Sequence, residues 1–107
     1  MAYDEDLDAR VAELVTSLGA TRKKMFGGTC YLLEGNMLAG VWKEWLIARV
    51  GDEAGEAALR ESAVKPFDIT EHAMRGWIMV DRDVLDDENL KRWVDAARAF
   101  VSTLPPK

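Results

Sequence analysis

One cysteine and one histidine leave little room for the chemistries that depend on those side chains. Cys30 has no partner in the chain, so an internal disulfide is excluded. Cys30 and His72 together fall short of the ligands a four-coordinate structural zinc site needs. A lone thiol fits a reducing compartment, and a cytoplasmic location is expected. Long hydrophobic runs are also missing: none approaches the ~20 residues of a membrane helix. The acidic opening "MAYDEDLDAR" does not read as a signal or transit peptide. Cationic residues are outnumbered, 14 Lys and Arg against 19 Asp and Glu, for a net charge of −5. Binding to nucleic acid needs clustered cations to neutralise phosphates, and the only dense cluster is Arg22-Lys23-Lys24. Nucleic acid is therefore a disfavoured partner.

What is present is an ordinary globular balance, with 49% apolar and 31% charged residues in a chain of 107. That length predicts a single domain over residues 1–107, burying roughly 65% of the surface its unfolded form exposes.

The stretch "RKKMFGG" joins basic residues to a glycine pair, as phosphate-binding loops do. A Walker loop, however, places Lys after its second glycine, and here the lysines come first. The dinucleotide fingerprint is missing too, and its glycines would lead into a helix, whereas Gly27-Gly28 leads into an alternating apolar run. A bulge or kink at the start of a sheet accounts for the pair. Cys30 and His72 with Asp68 or Glu71 make an imaginable nucleophile, base and orienter. Yet Cys30 lies mid-strand among apolar neighbours, where an inert buried thiol is the usual outcome. "DRDVLDDEN" lacks the Gly and Glu positions of a calcium loop and reads as a helix-capping turn. No catalytic, cofactor-binding or metal-binding residue is expected.

Periodicity orders the elements. Leu7, Val11, Leu14, Val15 and Leu18 form one stripe at 3.6 spacing, predicting a helix over residues 4–18 with Asp4 as N-cap and Gly19 as its stop. From Thr29 the period becomes two. Gly35-Asn36 signals a hairpin, and "LAGVW" and "WLIARV" follow, joined by Lys43-Glu44 through a connection expected to be wider than two residues. Asp52 caps a short second helix. Pro66 holds "VKPFDI" extended, with a brief strand near residues 67–69. "GWIMV" is a late strand. Asp87 caps a last helix whose stripe is Leu90, Trp93, Val94, Ala97, Phe100, Val101 and Leu104, and Pro105-Pro106 stops it. The expected fold is α+β and two-layered: an antiparallel five-stranded sheet with helices on one face, in the order α-β-β-β-α-β-β-α.

Pairing these strands predicts two unlike faces. Cys30, Leu32, Met37, Ala39, Val41, Leu46, Ala48, Val50, Ile78 and Val80 make a small, aliphatic face suited to helices. Tyr31, Leu33, Leu38, Trp42, Trp45, Ile47, Arg49, Trp77 and Met79 make an aromatic one, with Trp42 beside Trp45. A one-sided sheet is expected to show polar residues on its open face. Either the last helix or a loop folds over these aromatics, or they form a surface for a partner: a second copy, another protein or an apolar ligand.

"KKMFGG" (Lys23, Lys24, Met25, Phe26, Gly27, Gly28), "LLEGNMLAGV", "KPFDI", "MRGWIMVDRDVLDDENLKRWV" and the ending "LPPK" together resemble the TfoX/Sxy family, in its N-terminal domain. The similarity spans about residues 20–107. The resemblance implies a two-layer α+β fold with a five-stranded antiparallel sheet. It also implies a link to the regulation of transcription or natural competence in bacteria, although the named regulators carry a second, C-terminal domain that these 107 residues do not include. It transfers no catalytic residues and makes Lys24 to Gly28 a structural signature, with Phe26 as an anchor. The expected function is a non-enzymatic protein-interaction module acting through Tyr31, Trp42, Trp45, Arg49 and Trp77, as a homodimer or with another protein. The alternative is a small-molecule binder or enzyme in which Arg49 holds an anionic group. A third reading, nucleic-acid binding through Arg22, Lys23, Lys24 and the aromatics, is opposed by the net charge.

Overall fold

The computed structural model describes residues 3–25, 27–67 and 74–106 of the chain. Three helices and six strands follow in the order α1 (Glu5–Thr16), β1 (Thr21–Met25), β2 (Gly28–Leu33), β3 (Asn36–Trp42), β4 (Trp45–Arg49), α2 (Asp52–Ala58), β5 (Val64–Phe67), β6 (Met74–Asp81) and α3 (Asp87–Val101). A 3-10 turn, Arg82–Val84, leads into α3. The sheet is antiparallel throughout and ordered β1-β2-β3-β4-β6-β5. It therefore has six strands, not five. The extra one is β1, the basic run, which pairs Arg22 with Tyr31 and Lys23 with Cys30 along one edge.

The helices begin where their caps require. Asp4 Oδ1 accepts from the Leu7 amide at 3.0 Å, and Asp86 Oδ1 from the Asn89 amide at 2.8 Å. The α3 cap is thus Asp86, one residue before the expected Asp87. Gly51 takes the N-cap position of α2, and Asp52 is the first residue inside the helix. The β2–β3 turn is Glu34-Gly35, with both residues at positive φ (52° and 84°), the geometry whose twist suits a two-residue hairpin. The β3–β4 connection is also two residues, because Trp42 pairs directly with Trp45. Lys43 takes up the required left-handed conformation at φ 53°. Its carbonyl is held by the Asp4 amide at 2.7 Å, so the N-terminal segment braces this tight turn.

One core lies between the helices and one sheet face. Leu7, Val11 and Val15 of α1, Ala58 of α2, and Leu90, Trp93, Val94, Ala97 and Val101 of α3 pack there with Tyr31, Leu38, Val41, Leu46, Ala48, Ile78 and Val80. Tyr31 and Leu38 were expected on the other face. The register shifts between Tyr31 and Leu32: Tyr31 pairs with Ala39 but Leu32 with Met37, leaving Leu38 as an extra residue in β3. Such a bulge reverses the in–out phase on one side of itself. Thr29, Tyr31 and Leu33 consequently turn toward the helices, while Cys30, Leu32 and Met37 lie on the open side.

Gly28 explains the double glycine. A β-carbon there would run into the carbonyl oxygen of Val41 and crowd the Cα of Trp42, so β2 and β3 come this close only without a side chain. Gly27 instead sits at φ 80° with open space around it. The two glycines therefore tolerate different changes. Gly28→Ala is expected to lower unfolding stability by about 2 kcal/mol or more through a backbone collision. Gly27→Asn, which accepts positive φ, is expected to cost under about 1 kcal/mol. Chemical denaturation of the two variants measures the contrast, and equal losses would refute the assigned roles.

Candidate functional site

Two clusters outside the aliphatic core concentrate polar or aromatic chemistry. The first is buried. Asp8, 7% exposed, projects from α1 onto the β1–β2 edge. Its Oδ1 accepts from Thr29 Oγ1 and from the Tyr31 hydroxyl, both at 2.7 Å, and its Oδ2 accepts from Arg22 Nη2 at 3.0 Å. Arg22 also reaches the Tyr3 hydroxyl at 3.2 Å. Burial, and next the hydrogen bond to the Asp8 carboxylate, push the Tyr31 phenol up to about 12. The same carboxylate raises the Arg22 guanidinium above its ordinary value. Among the described residues no buried side-chain nitrogen or oxygen lacks a hydrogen-bond partner. A satisfied cluster of this kind, with its carboxylate fully engaged, fixes α1 to the sheet edge. Arg22 is thereby tied to Asp8 on the helix side of β1, and Tyr31, 1% exposed, does not belong to the aromatic surface.

The second cluster is the open face. Ile47, Met79 and Phe67 are buried at its centre, with Met37, Trp42, Trp45 and Trp77 half-buried around them. No helix residue joins this cluster among the described residues. Its order follows from register. Trp42 pairs with Trp45 at the β3–β4 turn, Ile47 with Met79 mid-sheet, and Arg49 with Trp77 at the far end. Trp45 and Arg49 lie four residues apart on β4, roughly 13 Å along a strand. The rings carry cations. Lys43 Nζ lies 4.6 Å from the Trp42 ring centre and Lys65 Nζ 4.8 Å from that of Trp45. The Arg49 guanidinium lies 5.1 Å from Trp77 and 5.7 Å from Phe100 of α3. Contacts of this geometry are worth about 0.5–1 kcal/mol each where exposed.

The structure thus brings Trp42, Trp45, Arg49 and Trp77 onto one face and removes Tyr31 from it. Arg49 is wedged between two aromatic rings at the sheet end. Sequence reasoning missed Lys43, Lys65 and Phe67, although Lys65 follows from period-two alternation out of Val64. Cys30 is fully buried on the open side beneath β1, where burial raises its thiol. Lys24 lies in β1, and Phe26, Asp68, Glu71 and His72 lie outside the described residues. No group of three His, Cys, Asp or Glu that could hold a metal occurs among the described residues. No described helix is long and apolar enough to cross a membrane.

Fold and face together define a small α+β domain whose open antiparallel sheet presents aromatic rings. The TfoX N-terminal domain family matches residues 13–101, and the chain belongs to that family. No curated protein and no solved structure matches it.

The buried cluster makes stability pH-dependent on the alkaline side. The Tyr31 phenol ionises near 10 when unfolded and near 12 when folded, so its contribution is complete below pH 10 and is lost as pH rises toward 12. The loss is on the order of 2 kcal/mol. Thermal melts from pH 8 to 12 are expected to show this limb in the wild type, and a shallower one in Tyr31→Phe. Superimposable profiles would contradict it.

Proposed function

We propose that this TfoX N-terminal domain is a non-enzymatic polypeptide-binding module with a regulatory role, and that its contact surface is the open sheet face around Trp42, Trp45 and Trp77. One observation carries the reading: an apolar centre ringed by three half-buried tryptophans, in a cluster that no helix residue joins among the described residues. Soluble domains seldom leave such a face without use, and tryptophan is enriched at the centres of protein interfaces. The family membership is compatible with a role in regulation, including that of transcription or competence. A cytoplasmic location is part of this proposal.

A small-molecule role for Arg49 gains less support. Its guanidinium is stacked between Trp77 and Phe100, which is the way an arginine braces a sheet against a helix.

Site-specific photo-crosslinking in the native host tests the proposal. With a photoreactive residue in place of Trp42 or Trp77, adducts to one defined polypeptide are expected. With the same residue in place of Glu13 or Leu59, on the helix side, none is expected. Equal labelling from both faces, or none from either, would overturn the assignment.

A further inference from the structure

We infer that the partner of the open face is an acidic, amphipathic segment of a different polypeptide, an inference that rests on the polypeptide-binding reading above. The argument is one of charge placement. The chain is acidic overall, at −5, yet the open face gathers cations. Lys43, Lys65 and Arg49 stand over its rings. Lys23, paired with Cys30 and on the opposite side of β1 from Arg22, adds a fourth. The ion pairs among the described residues employ other cations: Arg10 with Asp87, Arg22 with Asp8, Arg82 with Asp4 and Asp6, Lys91 with Asp95, and Arg92 with Glu61. Among the described residues, two acids lie near the face. Glu44 is at the β3–β4 turn, and the Asp81 carboxylate is turned onto its own chain by the Asp83 amide at 2.9 Å. The open face is thus an apolar floor with a cationic rim on an otherwise acidic molecule.

That arrangement discriminates among occupants. A second copy docked about a two-fold axis would set this rim against an identical one, cation facing cation. A single-stranded nucleic acid stacks its bases on free ring faces while cations hold its phosphates. Here the cations occupy the ring faces, so one contact displaces the other. A polypeptide with acidic and apolar side chains has no such conflict. Its apolar residues cover Ile47, Met79 and Phe67, and its carboxylates meet Lys43 and Lys65 from outside without touching the rings. The roughly 13 Å between the Trp45 and Arg49 ends is the length of about four extended residues or two to three helical turns.

Fluorescence anisotropy with defined probes tests this. Three are titrated with the intact chain: a labelled 14-residue peptide of glutamate, leucine and phenylalanine, its counterpart with lysine for glutamate, and a labelled oligothymidylate of twelve nucleotides. The acidic peptide is expected to bind at least about tenfold more tightly than the basic one, and to weaken as salt rises. Lys43→Glu/Lys65→Glu is expected to abolish the difference and Lys43→Gln/Lys65→Gln to reduce it, each with a melting profile showing that the fold is intact. Equal binding of the two peptides would overturn the acidic partner while leaving a polypeptide-binding face standing. Tighter binding of the oligonucleotide would overturn both readings. No binding of either peptide at millimolar concentration would also overturn the inference. So would a concentration-dependent dimer in sedimentation that Trp42→Ser dissolves, in favour of a second copy.

Discussion

The extra residue in β3, Leu38, decides which side chains meet the helices and which meet the outside. There the pairing with β2 slips by one, and the residues before Leu38, from β2 through Met37, turn over relative to unbroken alternation. Tyr31 and Thr29 are thereby delivered to Asp8, and α1 acquires a polar anchor on a sheet edge that has few apolar side chains of its own. Beyond the slip, Val41, Leu46, Ala48, Ile78 and Val80 keep an unbroken aliphatic surface for α3. The two faces of the sheet are distinct because the phase is reset once, at one place.

The same slip marks the boundary of what the sequence reveals. The first and last helices were legible from their 3.6-residue stripes, because surface helices must alternate between core and solvent, but of the expected caps only Asp4 fell on the right residue. Trp42, Trp45, Arg49 and Trp77 were placed correctly, since they lie on the far side of the bulge or on strands paired beyond it. Tyr31, Leu33 and Leu38 were misplaced. In "NMLAGV" almost every position is apolar, so period-two patterning carries no information about which residue is the extra one. Strand β1 was illegible for a different reason. Lysine, at positions 23 and 24, is somewhat depleted in strands, and an edge strand pairs on one side only. What identifies β1 is the long-range bond from Arg22 to Asp8, which no local pattern announces. The turn at Lys43 escaped notice because its left-handed residue is a lysine, held in place by the N-terminal segment.

On the proposed reading of the open face, one device serves two states. Lysine and arginine side chains laid over tryptophan rings bury apolar surface with their stems and offer charge to water with their heads. Without a partner this keeps an aromatic sheet compatible with solution. With one, the same heads remain available for pairing, and the rings need surrender little solvation.

The edges of the sheet bear on a separate matter, how the molecule can and cannot assemble. At one end stands β1, with three consecutive cations; at the other, β5 contains Pro66, which has no amide hydrogen to offer. Charged and proline-bearing borders discourage a neighbouring chain from adding itself as a further strand. The basic triplet that imitates a phosphate loop therefore acts as a fence. It keeps the sheet finite and discourages association by strand addition at its border.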